Sequence, residues 1–418
     1  MNKLKIMILT QFYPPLIGGE ERFTRDLSRQ LSARGHEVIV VTLLQDGLPQ
    51  QESDQGVRVV RIQGFTQRLD FLYSDTGRRA ASPYPDPGLL LELQRIVQAE
   101  KPDIVHAHNW IVHSFVPLKA WSGAKLVLTL HDFSLVCAKK KLLIGDEVCS
   151  GAGLRKCLAC SADHYGAAKG IPTTLFNWFS CALERQLVDA FVPVSHAVAV
   201  GNDLIKQGLP YEVIPNFVPD DVGHVPAVDD EVLRQLPDEP FLLFVGAFGR
   251  YKGVDLLLES YQLLSSPPPL VLIGYETSEY PIATKDMPPG VIVLRNWKHD
   301  AVMAAWQRCL IGITPSMWIE PCATTPMEAM AVGKPVIATR IGGFIDIVKD
   351  GETGLLVTPG DVDGLVEAIA RLLANPQERA AMGAAGREQV RNFQASTVIP
   401  RYEALYTRLL QGEPVVSG

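Results

Sequence analysis

The chain reads as an α/β protein of two doubly wound, Rossmann-like domains. An apolar strand, a glycine-bearing loop, a helix and a second strand follow one another over residues 4–42, and the same succession restarts at 241. The 418-residue length suits two or three domains rather than one. Between the two halves, residues 217–239 are rich in Pro and Asp and read as a hinge.

Composition removes several classes of function. With 47% hydrophobic and 20% charged residues the chain is ordinary for a globular protein. A formal net charge of -7 argues against a general nucleic-acid binder. The apolar run that follows Lys5 is too short for a signal peptide, and no apolar run approaches the ~18 residues that span a bilayer. The expected location is cytoplasmic, with peripheral contact at the inner membrane face left open.

The first domain is expected over 1–216. A buried strand at 4–10 leads through Gln11–Gly19 into a helix at 20–34, which Gly35 ends before the strand 36–42. The loop lacks G-x-G-x-x-G, so a dinucleotide fingerprint is absent. Gly18 and Gly19 at the helix start either let a phosphate approach free N–H groups or form a plain tight turn. After a strand at 57–62, the polar stretch 64–87 reads as a mobile loop. A helix near 89–99 and strands at 103–107 and 125–130 follow. These strands run into His108 and His131, which the ends of adjacent parallel strands point toward a crevice.

Cys137, Cys149, Cys157 and Cys160 form a cluster around a loop-like segment, 138–156. Four thiolates suffice for a tetrahedral structural zinc site; a redox pair, a [4Fe–4S] cluster and buried free thiols compete with that reading. Lys139-Lys140-Lys141 with Arg155-Lys156 reads as a solvated face, with contact to an anionic acceptor as the alternative. Trp178 and Phe179, on an amphipathic helix at 173–189, are assigned to the core in preference to a lipid anchor. A strand at 190–194, a helix at 197–207 and a strand at 212–214 close the domain.

The second domain is expected over 240–392. The strand 241–245 opens onto the glycine-rich loop Gly246–Gly253 and a helix at 254–264; strands at 270–273 and 291–294 and a helix at 300–307 come next. The most informative stretch is 310–359. Its first strand ends at Pro315, and a loop holding Glu320 follows. Thr325-Pro326-Met327-Glu328 opens a helix that stops at Gly333, with Pro and Gly in their usual places at the two ends. The next strand, 336–338, ends at Gly342-Gly343. A short helix, a turn and a strand follow, and Asp361 caps a helix at 362–373. Helices near 376–391 and 396–411 complete the chain. Glu328 is also placed for a capping box with Thr325, and Glu320 for a solvated loop position.

The motif Ser316-x-x-x-Glu320-Pro321, with Glu328-Ala-Met-Ala-x-Gly-Lys-Pro and Ile341-Gly-Gly, closely resembles the nucleotide-sugar site of retaining glycosyltransferases of family 4, which have the GT-B fold. The Pro14-Pro-x-x-Gly-Gly segment, Leu-Thr-Leu-His131-Asp and Lys252-Gly253 resemble family motifs too, and the resemblance spans nearly the whole chain. It implies two Rossmann-like domains facing across a cleft, with a final helix, 393–418, crossing back to the first. It also implies transfer of a hexose from a nucleotide diphosphate sugar to an acceptor hydroxyl. Glu320 would sit at the donor sugar, His131 would contact that sugar and Glu328 would hold the ribose. Lys252 and Arg250 would meet the diphosphate, although Ala247 occupies the family's usual arginine position. Gly18, Gly19, Gly246, Asn296, Pro321, Cys322, Ala323, Thr324 and Thr325 would complete the donor site. The family is described as using front-face attack, with no metal at the chemistry.

Glycan, lipid-linked and small-molecule acceptors all remain compatible. The rival readings are a glycosidase with two carboxylates, another GT-B enzyme such as a sugar-nucleotide 2-epimerase or a phosphorylase, and an inactive nucleotide-sugar-binding partner in glycan assembly.

Overall fold

Apolar strands without polar alternation need helices on both faces, and both sheets of the protein are built that way. A computed structural model describes residues 3–16, 18–69, 73, 75, 77–145, 147–225, 227–276 and 287–415. The first sheet contains β1 (Lys5–Leu9), β2 (Glu37–Leu43), β3 (Gln51–Asp54), β4 (Val57–Ile62), β5 (Ile104–His108) and β6 (Lys125–Leu130). A two-stranded hairpin of β7 (Leu143–Ile144) and β8 (Glu147–Val148) precedes its last strand, β9 (Ala190–Pro193). The order is β3-β4-β2-β1-β5-β6-β9, parallel throughout except at the β3–β4 edge.

The second sheet contains β10 (Leu242–Phe248), β11 (Leu270–Glu276), β12 (Val291–Arg295), β13 (Ile311–Thr314), β14 (Val336–Thr339) and β15 (Gly354–Val357), all parallel. Its order is β12-β11-β10-β13-β14-β15. Without β3, both sheets have the 3-2-1-4-5-6 order of a doubly wound fold, which reverses direction beside its first strand.

The chain divides into two units, one of Met1–Leu142, Cys149–Pro215 and Ile399–Gly418, the other of Leu143–Val148 and Asn216–Val398. The last helix, Ala395–Gln411, therefore contributes its residues from Ile399 on to the first unit. There Tyr406 Oη lies 2.7 Å from His106 Nδ1, and Glu403 Oε1 lies 3.0 Å from His36 Nε2. In the second unit Leu242, Phe244, Leu257, Leu270, Ile311, Ile337 and Ile369 pack into one core.

Several elements differ from the sequence expectation. The edge strand β3 carries no apolar alternation, and pairing with β4 alone creates it. The described residues of 64–87 are tied down. Asp86 accepts from the backbone N–H groups of Phe65, Thr66 and Gly88 at 2.7–2.8 Å, and Arg79 is buried against Asp46. The rest of that stretch, with Ile17 and 277–286, lies outside the described residues.

The expected helix 197–207 is split at Asn202 and Asp203. The Asn202 amide serves Asp132 O and Leu135 N, and Asp203 takes φ +58°. Residues 212–214 form no named strand, although Glu212 N and Ile214 N donate to Phe191 O and Pro193 O at 3.0 and 3.2 Å beside the isolated bridge Phe191–Tyr211. Within 138–156 the structure adds the hairpin and the start of an unexpected helix, Leu154–Tyr165.

The assignment of Phe179 to the core is corrected outright. The helix Ala167–Leu187 buries Gly170, Thr174, Asn177, Ser180, Cys181 and Glu184, and leaves Phe179 62% exposed. Close packing explains this choice: a Cβ on Gly170 would lie 2.1 Å from Ser161 O, and Asn177 Nδ2 donates to Ser134 O at 3.0 Å.

Candidate active site

In the second unit the sheet reverses between β10 and β13, so the loops after these two strands lie side by side. They are clasped backbone to backbone. Met317 N donates to Tyr251 O at 2.8 Å, and Gly253, at φ +74°, comes so near that a Cβ on it would lie 1.8 Å from Pro315 O. This approach carries Lys252 to Glu320. The Lys252 ammonium donates to Glu320 Oε2 at 2.6 Å, the Trp318 indole N–H donates to the same oxygen at 2.8 Å, and the Ser316 hydroxyl lies at 3.4 Å. Lys252 Nζ also stands 5.3 Å from the centre of the Trp318 ring. A nearly buried carboxylate with three donors on one oxygen is a held group rather than a solvated one.

Glu328 does not close a capping box. The helix Thr325–Ala331 has no side-chain cap, and Glu328 instead turns to His299 Nε2 at 3.0 Å and the Trp306 indole N–H at 3.3 Å. The Gly342-Gly343 loop packs on the backbone that carries Glu320. Gly343 N donates to Glu320 O at 2.7 Å, while a Cβ on Gly342 would lie 2.3 Å from the same oxygen. Both glycines thus support the carboxylate loop directly.

The remaining expected donor residues fall as follows. Gly246 lies inside β10 opposite Gly274, where a Cβ on Gly274 would reach within 1.8 Å of Gly246 O. Asn296, at φ +56°, donates its backbone N–H to Gly274 O at 2.9 Å. Pro321, Cys322, Ala323 and Thr324 join the Glu320 loop to the helix, and Asn216 Nδ2 holds Cys322 O at 2.8 Å. Burial pushes the Cys322 thiol up to about 12, so it is no nucleophile near neutral pH. Arg250 is largely exposed, with Nε 3.5 Å from Asp255, and Ala247 is buried in β10.

The first unit reverses between β1 and β5, which places the loop before Gly18 beside Asn109. Gly18 caps the helix Gly19–Ala33 without a side-chain bond, and Glu20 and Glu21 occupy its first turn. Asn109, at φ +65°, donates its amide to Glu20 Oε2 at 2.8 Å and accepts from Lys140, whose ammonium also lies 4.1 Å from the centre of the Trp110 ring. Glu21 pairs with Arg78.

His131 Nε2 lies 3.0 Å from His108 Nδ1, and the rings stack at 5.2 Å beside the edge of Phe23. Burial drives His131 down to about 3 and His108 well below its usual value. Both rings are therefore neutral, fit for hydrogen bonding to hydroxyls rather than for carrying charge.

Loss of water raises the Glu20 carboxyl to about 7 from 4.5; the Asn109 bond and Lys140 oppose that rise, and Asp132 and Glu21 add to it. A raised carboxyl favours folding fully below its unfolded pKa, and that contribution fades as pH climbs through the folded value. Relative to Glu20→Gln, the wild type is expected to lose at most about 3 kcal/mol between roughly pH 5 and 8. Thermal melts of both proteins across that range check this, and a pH-independent gap would refute it.

Cys157 and Cys160 lie one turn apart on the helix Leu154–Tyr165, while Cys137 and Cys149 lie in irregular segments before it. Gly153 N donates to Cys157 Sγ and Lys139 Nζ to Cys160 Sγ, each at 3.4 Å. Among the described residues, His113, Cys181 and Glu184 bring three possible metal-ligand atoms within 4.8 Å of one another.

Sequence reasoning passed over Trp318 and Ser316 at Glu320, His299 and Trp306 at Glu328, and the Glu20–Asn109–Lys140 chain. Ser316 stood in the motif without a role. Trp318 at i−2 from Glu320 was a usable signal, whereas the other contacts join residues 22 to 89 positions apart.

Comparison with known proteins adds to this geometry. The family model for Glycosyltransferase Family 4 matches residues 17–222, and that for Glycosyl transferases group 1 matches 228–389. A glycogen synthase of Mycobacterium tuberculosis is 24% identical over 98% of this chain and 96% of its own length. Among solved structures, sucrose-phosphate synthase from Thermosynechococcus elongatus superposes with a TM-score of 0.74 at 21% identity, over 98% of this chain and all of that one. Anabaena HepE in complex with UDP-glucose gives 0.64 at 17%, over 97% of this chain and all of its own.

Proposed function

The chain belongs to the group 1, family 4 glycosyltransferases of GT-B fold, and we propose that it is a retaining hexosyltransferase using a nucleotide diphosphate sugar. The observation that carries the reading is the Lys252–Glu320 pair, held at 2.6 Å where the second sheet reverses. A cation held there is suited to the charge that grows on a departing diphosphate. The carboxylate beside it offers acceptors to donor-sugar hydroxyls. Glu328 is assigned to the ribose, Arg250 to the diphosphate, and the backbone at Cys322, Ala323, Thr324 and Thr325 to the diphosphate or the sugar. In the first unit His131 is assigned to sugar contact and Gly18-Gly19 to the donor phosphate and the acceptor.

In the step itself the bond from the anomeric carbon to phosphate oxygen breaks, and a bond to the acceptor oxygen forms on the same face. The acceptor proton passes to a phosphate oxygen, so the products are a glycoside and a nucleoside diphosphate. We place the activity in cell-surface glycan or glycolipid synthesis, in the cytoplasm or at the inner membrane face. Structural zinc on Cys137, Cys149, Cys157 and Cys160 is proposed on donor chemistry alone.

The test is a thermal-shift and hydrolysis panel of UDP-, GDP- and ADP-sugars, with and without EDTA. One nucleotide series should raise Tm and be slowly hydrolysed, in EDTA as well. A Tm lowered by EDTA would support zinc. Binding without turnover would favour an inactive nucleotide-sugar-binding partner, and absence of binding by every nucleotide would sink both readings.

A further inference from the structure

The helix Ala167–Leu187 is inverted relative to one that closes a core. Its buried face is small or polar, as described above, whereas its solvent face shows Ile171, Leu175, Phe176 and Phe179 at 39, 48, 47 and 62% exposure. Ile171, Leu175 and Phe179 are spaced i, i+4, i+8, so they form one ridge ~12 Å long along the axis, with Phe176 beside Phe179. Phe176 keeps one side against Tyr84, ring centres 4.9 Å apart. Single exposed apolar side chains are common; a contiguous ridge of four marks a surface that is covered in use.

Charge identifies the cover. The chain carries -7 overall, yet residues 139–187 hold seven Lys or Arg against four Asp or Glu. One of the four, Glu184, is buried 2.6 Å from His113, and one of the seven, Lys140, is held against Asn109 and the Trp110 ring, which leaves six cations against three acids. No acidic residue occurs from 164 to 183, and Lys169 and Arg155 are exposed. An apolar ridge with a basic margin is the pattern of a helix lying in the headgroup region of an anionic bilayer. No helix among the described residues is long and apolar enough to cross a membrane, so a contact of this kind lies on the surface.

We propose that the face Ile171–Leu175–Phe176–Phe179 docks this protein onto a membrane surface bearing anionic lipid, with Lys169 and Arg155 at the level of the lipid phosphates. The proposal is independent of the donor site, because none of these residues belongs to it.

The test is flotation of the full chain with phosphatidylcholine vesicles prepared with and without phosphatidylglycerol. The wild type should float with the anionic vesicles, less so in high salt and little with phosphatidylcholine alone. Leu175→Ser/Phe179→Ser should lower the bound fraction at least about tenfold, with Tm unchanged because both side chains are exposed. Three results would overturn the proposal. The wild type could fail to float, or the double variant could float as well as the wild type. The third is a dimer, seen without vesicles, that the same substitutions dissolve, which would assign the ridge to a second copy of the chain.

Discussion

Lys252→Met is expected to lower kcat for hexosyl transfer by about 10²–10³-fold, the usual loss when one preorganised charge at a leaving group is removed. The same change leaves the Glu320 carboxylate without its cation at 2.6 Å, with only Trp318 and Ser316 still serving that oxygen. Tm should therefore fall as well, since a nearly buried charge has lost its partner. The double variant Lys252→Met/Glu320→Gln separates the two effects. An amide in place of the carboxylate still accepts from Trp318 and carries no charge, so the double variant should regain Tm. Its kcat should stay as low as that of the single variant or fall further. If turnover returned together with Tm, the pair would be structural, and its catalytic assignment would be wrong.

Gly342→Ala should destabilise the protein by roughly 2–5 kcal/mol and remove activity with it. Two penalties add at this position. The backbone stands at φ +61°, where a side chain is strained, and the new methyl would lie 2.3 Å from Glu320 O. Gly351→Ala is the internal control, since that glycine has φ +77° and nothing within 4 Å of a Cβ. It carries the backbone strain alone and should lose only about 1–2 kcal/mol. Chemical denaturation of the two variants decides the matter. Equal losses would mean that the close approach to the Glu320 loop does not constrain the structure.

The recurring order of strand, glycine-bearing loop and helix was legible because local punctuation and hydrophobic runs write it directly. Pro326 at a helix start, Gly333 past its end and the apolar strands 125–130 and 57–62 all fall where the pattern placed them. The loops that hold Lys252 and Glu320 were legible for the same reason. A doubly wound sheet puts functional groups at strand ends, which sequence order alone locates as the stretches after β10 and β13.

Partners across the chain were not legible. Lys252 and Glu320 are 68 positions apart, Glu20 and Asn109 are 89 apart, and no periodicity encodes either distance. Glu328 illustrates the limit: its spacing from Thr325 fits a cap, yet His299 and Trp306 take its carboxylate. The helix at Phe179 misled for a related reason. Amphipathic spacing reports that a helix has two unlike faces, but which of them packs inward depends on what the neighbouring segment can accept. Here Ser161 and Ser134 accept Gly170 and Asn177. The sequence by itself determined the fold class, the order of its elements and the loops that bear charge, because these follow from short-range rules. Only the tertiary structure decided which charges meet and which face of a helix stays bare, because those depend on contacts between segments distant along the chain.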